Sequence, residues 1–482
     1  MVKVVDVFAG PGGLNEGFSR FRNQLDQQVF EIAGSFEVDP LAVQTLTLRA
    51  AARRVGLTED PDYLSLINGE ISLAELRSRP NFAKALAAAS QHVHEHRLGP
   101  QNRDESDRII EDSLSDGEPW VLIGGPPCQA YSLAGRSRMG RNPNFLEDER
   151  HFLFREYLHI IETHRPTVFV MENVKGLLSA THRETRMFEL IMSDLSCGGD
   201  YEIRSLVVSG DDPEPRDFVI EAEKYGVPQK RHRVILLGVR RDARLGRHDT
   251  LAKQAPVSLR TAIGQDLPKV RSQVSPKRED GDQLWLSARR AAFELAAPRA
   301  ATRIQDDDRC PPSFSGPAAY VRDVSDDPLL EWLRSPKLER VTLHEPRSHM
   351  YADLVRYGYL AHMAGGREHP TVKELPPALW PNHENMKKAN TPFVDRFKAQ
   401  SWFGPSSTIV SHISKDGHHF IHPEAWQMRS LTVREAARLQ TFSDDYFFAG
   451  NRTQQYHQVG NAVPPLLAFQ IAQSVAGLMG LN

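Results

Sequence analysis

The sequence predicts an α/β fold: a doubly wound, mostly parallel sheet joined to a second, smaller and irregular domain. Three observations predict it. Apolar, β-rich runs recur at residues 2–8, 31–37, 120–124, 167–171, 201–208 and 233–239. Amphipathic helical stretches lie between several of them, such as 152–163, where Phe152, Phe154, Leu158 and Ile161 share a broad apolar face. Runs that are apolar throughout and separated by helices are the pattern of a parallel sheet covered on both sides.

The remaining segments follow from composition. At 482 residues the chain exceeds what one hydrophobic core usually serves. Residues 1–241 form the expected sheet domain, decorated by a charged, helical insertion over about 41–118 with an Ala-rich centre at 82–90. The acidic stretch 209–217 carries two prolines and reads as a loop. Over 242–427 prolines multiply, apolar runs shorten, and Arg, Lys and His mix with Tyr, Trp and Phe, the expected second domain with little regular periodicity. Residues 428–482 return to order, with a helix over 432–440 that opens on Thr432 and Glu435 at capping-box spacing, then an apolar helix over 464–479.

Bulk properties narrow the function classes. Hydrophobic residues are 40% and charged residues 25% of the chain, an ordinary soluble balance. No apolar run has the length of a membrane span. The start enters a strand-like run without a signal-peptide layout. Cys128, Cys197 and Cys310 are too scattered for a disulfide framework or a zinc cluster, so a reducing, cytoplasmic setting is expected. The net charge of -3 neither favours nor excludes nucleic acid, which responds to local basic surface. His418, His419 and His422 read as an exposed loop, and no metal is expected.

Four segments carry chemistry. Asp6-Val7-Phe8-Ala9-Gly10-Pro11-Gly12-Gly13-Leu14 follows a strand and opens a helix. Glycines there let a ligand approach the backbone, and the helix N-terminus offers free N–H groups. Glu37 ends the next strand, where a carboxylate can accept hydrogen bonds from ribose hydroxyls. Gly124-Gly125-Pro126-Pro127-Cys128-Gln129-Ala130-Tyr131-Ser132 follows the strand at 121–123, and its prolines stiffen an exposed turn at a carboxyl edge. A lone cysteine is more often a buried small hydrophobe, but these neighbours argue against a core role. Glu172-Asn173-Val174 follows another strand at the same edge, so a glutamate and a cysteine converge on one cleft. In Gly226-Val227-Pro228-Gln229-Lys230-Arg231-His232-Arg233, strand alternation puts Arg231 and Arg233 on one face. That pair reads either as a solvated basic edge or as two guanidinium groups directed at the cleft.

These segments resemble the ordered motifs of the cytosine-5 DNA methyltransferase family of the bacterial restriction-modification and defence type. Two more match: the run from Arg429 to Gln440, and Gln458-Val459-Gly460-Asn461-Ala462-Val463-Pro464-Pro465. All six stand in the family's order and frame nearly the whole chain. The resemblance implies a Rossmann-like, SAM-dependent methyltransferase sheet, with the variable target-recognition domain before Arg429 and a last segment that completes the large domain. It implies S-adenosylmethionine (SAM) as cofactor and double-stranded DNA as partner, with a monomer acting on one base and a restriction or defence partner protein. Under it Cys128 is the nucleophile that attacks C6 of a flipped cytosine, Glu172 serves N3, and Arg231 and Arg233 orient the base and its phosphate. Phe8, Ala9, Gly10, Gly13 and Leu14 match the cofactor loop, and Glu37 and Val38 the ribose and adenine contacts. Glu70 and Ile71 resemble the segment near the adenine amino group, with Glu70 in place of the usual Asp. Pro127, Asn461 and Ala462 complete the cofactor set. Tyr131 stands where the family usually has Phe, and Pro11 where it often has an aliphatic residue. Two other functions remain open on the sequence: a transfer-RNA methyltransferase of the same family, and a catalytically silent DNA-binding regulator on the same fold. The second predicts a lost cysteine or glutamate, and both are present.

Overall fold

The computed structural model describes residues 1–57, 59–114, 117–127, 150–179, 181–182, 185–210, 212–298, 310–313, 316–321, 327–335, 337–364, 369–382 and 396–482. Side chains at 150–152, 181–182 and 185–186 are not described. Strand β1 (Val2–Val7), helix α1 (Gly13–Arg20) and strand β2 (Phe30–Glu37) open the chain. Helices α2 (Pro40–Val55), α3 (Pro61–Ile67), α4 (Leu73–Ser78) and α5 (Pro80–Ala89) lead to the short strand β3 (Val93–Glu95), then α6 (Arg103–Ser113). Strand β4 (Trp120–Gly124), helix α7 (Arg150–His164), strand β5 (Val168–Val174) and helix α8 (Met187–Leu195) follow. Strands β6 (Tyr201–Arg204), β7 (Val219–Glu221) and β8 (His232–Arg240) complete the eight-stranded sheet.

Its order is β3-β2-β1-β4-β5-β8-β6, with β7 also on β8. The first five strands pair in parallel and β8 runs antiparallel to its three neighbours. All parallel strands therefore end at one edge, and their order reverses around β1, which opens a crevice there. Strand alternation divides the core. Val4, Val121, Ile123, Val168, Val170 and Ile235 face α1 and the C-terminal helix Pro465–Leu478. Val5, Val7, Leu122, Phe169, Met171 and Leu236 face Tyr157 and Ile161 of α7 and Ile191 of α8.

All six predicted strands are present, and three differences have local causes. Residues 205–208 leave the sheet because the Ser205 hydroxyl oxygen accepts from the amides of Val207 (3.0 Å) and Val208 (3.2 Å), a turn that competes with the ladder. The stretch 41–118 is more than decoration, since it supplies the edge strand β3, registered on Ser35–Glu37. The proline-rich region contains two packed helices, Asp282–Ala296 and Tyr351–Ala364. At their crossing a Cβ on Gly358 would come within 2.7 Å of the Ala292 methyl, so glycine sets how closely they approach.

Helix Val433–Leu439 forms as expected, with the capping box between Thr432 and Glu435 complete. Glu435 also takes two 2.6 Å bonds from Arg429, both side chains being buried. Burial alone would push the Glu435 carboxyl up; the Arg429 charge and bonds outweigh this and hold it well below the usual carboxylate range. His422 is buried 3.5 Å from Glu435, and His418 stacks on Phe397 with ring centroids 4.2 Å apart, so neither belongs to an exposed loop. Among the described residues no three His, Cys, Asp or Glu side chains are grouped as metal ligands, and no helix is long and apolar enough to cross a membrane.

Candidate active site

The carboxyl edge of β1, β2, β4 and β5 gathers most of the predicted residues. After β1 the chain turns through Phe8 (φ 56°), Gly10 (φ 55°) and Gly12 (φ 89°), three left-handed conformations in five residues. The Ala9 amide donates to the Phe36 carbonyl (3.1 Å), which ties this loop to β2. The Glu37 carboxylate closes the same junction, accepting from the Gly10 amide at 2.7 Å and from the Val38 and Asp39 amides at 2.8 Å each. A Cβ on Gly10 would meet nothing within 4 Å, so the loop borders open space there. Val38 is 51% exposed, an apolar side chain left uncovered beside Glu37.

Gly13, at the first turn of α1, shows why the C-terminal segment belongs to this site. A Cβ there would lie 2.0 Å from the Val463 carbonyl oxygen. Only glycine lets the backbone after Asn461 and Ala462 close on the loop. Leu14 packs in the core beneath it, Ala462 is buried, and Asn461 is exposed.

Glu70 and Ile71 lie elsewhere. They sit between α3 and α4 in the helical insertion, where the Glu70 carboxylate accepts from the Ser65 hydroxyl at 2.9 Å. Gly69 beside them packs on Pro317. The residue registered next to Glu37 is Glu95, at the end of β3, and the following His96 amide donates to the Glu37 carbonyl at 2.9 Å. Glu95 and His96, rather than Glu70 and Ile71, are thus the residues that the structure places beside Glu37. The long insertion displaced the match, and a three-residue strand rich in polar residues left no periodic signal.

Across the crevice, β5 and β8 present Glu172 and Arg233. Glu172 is registered opposite Ile235, so Arg233, two residues earlier on β8, is its diagonal neighbour on the same face. The Arg233 Nε lies 2.7 Å from Glu172 Oε1, with both side chains about one-sixth exposed. The second carboxylate oxygen faces the loop after β4: a Cβ on Gly125 would come 2.8 Å from Glu172 Oε2. The adjoining Asn173 amide group donates to the Pro126 carbonyl at 3.2 Å and anchors that loop. Pro127 follows, half-buried. Cys128 lies outside the described residues, one residue beyond Pro127 and three beyond the glycine that touches Glu172.

Arg231 is engaged differently from Arg233. Strand pairing is interrupted at this residue: Gln229–Lys230 pairs with Ser406–Ser407, and the sheet strand begins at His232. Arg231 is buried and donates to the carbonyls of Ile409 (2.8 Å) and Gly460 (3.3 Å). Burial, with the Arg233 charge nearby, pushes its pKa well below the usual guanidinium value. Its contacts knit three chain segments together.

Two further groups received no role from the sequence. Asp6, at the end of β1, is fully buried with no hydrogen-bond partner for either carboxylate oxygen. Burial and the neighbouring Glu37 charge push its pKa well above the ordinary carboxylate range. A lone acid inside an apolar strand was the available signal. Tyr446 donates its hydroxyl to the Pro11 carbonyl across 435 residues of sequence, which no local pattern could reveal.

Comparisons with known proteins fit this geometry. A family model described as C-5 cytosine-specific DNA methylase matches residues 70–477. The chain is 32% identical to the Type II methyltransferase M.Bpa9945I of Bacillus paralicheniformis, over 98% of each chain. It is 26% identical to the Type II methyltransferase M.AgeI of Thalassovita gelatinovora, over 76% of this chain and 85% of that one. The same identity holds for the DNA (cytosine-5-)-methyltransferase M.ApeKI of Aeropyrum pernix, over 76% and 83%. Among solved structures, a DNA modification methyltransferase encoded within an E. coli prophage superposes over the full length of both chains with a TM-score of 0.57 at 20% identity, a likeness of fold. With a matched family model spanning most of its length and a relative alike from end to end, the chain belongs to the family of C-5 cytosine-specific DNA methylases.

Proposed function

We propose that this DNA (cytosine-5-)-methyltransferase methylates C5 of a cytosine in a specific double-stranded sequence, with SAM as donor, through a flipped base and a covalent Cys128–C6 adduct. The observation that carries the reading is the convergence of Glu172, Arg233 and the loop leading to Cys128: Glu172 Oε1 lies 2.7 Å from Arg233 Nε, and its Oε2 faces Gly125.

The loop after β1 fits SAM. It offers glycine backbone in left-handed conformations beside open space, a carboxylate at the end of β2 and an exposed apolar side chain next to it. Phe8, Ala9, Gly10, Gly13 and Leu14 would cradle the donor, with Asn461, Ala462 and Pro127 at its flank. Glu37 would exchange its bond from the Gly10 amide for the ribose hydroxyls, and Val38 would cover one face of the adenine. When bound, the donor supplies a methyl group on an electrophilic sulfonium.

The chain's residues do the rest. A cytosine inside a duplex is out of reach, so the base must leave the stack at a cost of about a few kcal/mol. The Cys128 thiolate adds to C6, the C5=C6 electron pair moves into the ring toward N3, and N3 takes a proton held by Glu172. C5 is now the nucleophilic end of an enamine and accepts the methyl. Water takes the C5 proton, the freed electron pair restores C5=C6 as the thiolate leaves C6, and N3 returns its proton to Glu172. Arg233 orients Glu172 throughout. Arg231 holds the Arg233 segment against the residues after Ser407 and at Gly460, a supporting part rather than contact with the base. Residues 242–427 read the DNA, and 428–482 complete the catalytic domain of 1–241. A soluble, cytoplasmic monomer that marks its own cell's DNA beside a restriction or defence partner is the setting this chemistry suits.

Transfer of labelled methyl from SAM tests the proposal, with duplex DNA and transfer RNA as competing acceptors and Cys128→Ala as control. Label in 5-methylcytosine of the DNA, absent with the variant, is expected. Label only in RNA overturns the reading.

A further inference from the structure

We infer that Tyr446 is a positioning residue for the loop at Gly10–Gly13, setting its cofactor-binding shape from behind; the inference rests on that loop binding SAM. Tyr446 is fully buried, and its hydroxyl donates to the Pro11 carbonyl at 2.5 Å, between the two left-handed glycines. A Cβ on Gly12 would sit 3.0 Å from the same hydroxyl and 2.7 Å from Leu46 of α2, so the loop is pressed against this support.

The ring is itself held. The Phe442 and Phe448 ring centroids lie 4.7 and 5.2 Å from that of Tyr446, and 5.1 Å from each other, within one aromatic cluster. The Arg49 guanidinium stands 4.8 Å above the Tyr446 ring. That arginine bonds Glu16 on α1 through its Nε at 3.0 Å and pairs with the Asp445 carboxylate at 3.2 Å. Tyr63 of α3 donates to the Asp445 carbonyl at 2.8 Å. The preceding Asp444 faces the other way, toward Arg438 (2.8 Å) and Tyr320 (2.9 Å). Thus Tyr446 hangs on a strand of chain clamped on both sides, and it reaches the loop through one hydroxyl. A carbonyl fixed in this way sets the plane of the Pro11–Gly12 peptide, whose amide closes the turn by donating to the Ala9 carbonyl at 3.0 Å, and so sets the turn that presents Gly10. None of these groups borders the crevice, so the effect on the donor is indirect.

The test removes only the hydroxyl. Tyr446→Phe keeps the ring contacts that maintain the fold. The matched control is Tyr201→Phe, which deletes a buried hydroxyl donating to Pro166 (2.7 Å) at the opposite edge of the sheet. Labelled SAM binding is measured by equilibrium dialysis, alongside kcat at saturating SAM and thermal unfolding. Tyr446→Phe should weaken SAM binding about tenfold, the scale of one buried hydrogen bond, with kcat within about twofold. Tyr201→Phe should lower the unfolding temperature comparably and leave SAM binding within about twofold. Unchanged SAM affinity in Tyr446→Phe, or equal weakening in both variants, overturns the inference. If the wild-type protein itself bound no SAM, the cofactor reading would fail before the role of Tyr446 came into question.

Discussion

Arg233 Nε and Glu172 Oε1 stand 2.7 Å apart as diagonal neighbours on antiparallel strands, one from each side of the sheet's change of direction. The pairing leaves Glu172 Oε2 as the oxygen facing the loop that leads to Cys128. In the proposed mechanism the arginine would thus fix which carboxylate oxygen meets the base. Glu172→Gln keeps the shape and removes the exchangeable proton. It should lower kcat by about 100-fold or more while SAM binding stays unchanged, as single-turnover methyl transfer and equilibrium dialysis would show. Retained kcat would remove Glu172 from the chemistry.

Gly125→Ala tests the same contact from the loop side. The added methyl would fall 2.8 Å from Glu172 Oε2, so either the carboxylate or the loop must shift. A displacement of about 1 Å in a reacting group can cost about 100-fold, so kcat should fall by tenfold or more, with the unfolding temperature nearly unchanged.

Arg231→Ala should behave differently. It leaves the Ile409 and Gly460 carbonyls without their buried donor, a loss of about 2 kcal/mol or more in unfolding free energy. Denaturant unfolding should record that loss, and activity should fall with the folded fraction. A selective loss of kcat at full stability would instead place Arg231 in contact with the base.

Two buried acids should give opposite pH responses. Glu435 has its folded pKa lowered by Arg429 against the opposing effect of burial, so its contribution is present above the unfolded value of about 4.3 and is lost as pH falls below it. Asp6 has its folded pKa raised by burial and by Glu37, so folding takes up a proton and stability falls as pH rises above about 3.9. Thermal unfolding across pH should show Glu435→Gln losing the acid-side slope. Asp6→Asn should gain stability over wild type by a margin that grows with pH up to the folded pKa.

What could be read from the sequence followed from how local each signal was. Strands β1, β4 and β8 are apolar runs bounded by turn residues, and the Thr432–Glu435 capping box spans three residues. Glu37 and Glu172 could be placed because each directly ends such a run or follows its apolar part. Strand β3 was illegible because its three residues are mostly polar, and with it went the assignment of the edge beside Glu37. Alternation could not foresee that Arg231 bonds the Ile409 and Gly460 carbonyls, because the ladder changes partner there, from Ser406–Ser407 to the main sheet. The Tyr446–Pro11 bond depends on tertiary closure alone.

The most direct test of the account is trapping on duplex DNA that carries 5-fluorocytosine in the recognised sequence, first identified by bisulfite sequencing of DNA from cells expressing the protein. Fluorine at C5 blocks the final proton loss, so the enzyme should remain bonded to the base. The account predicts a denaturation-resistant protein–DNA adduct that requires SAM and disappears in Cys128→Ala. Absence of the adduct with wild-type protein, or its persistence in the variant, would contradict Cys128 as the nucleophile.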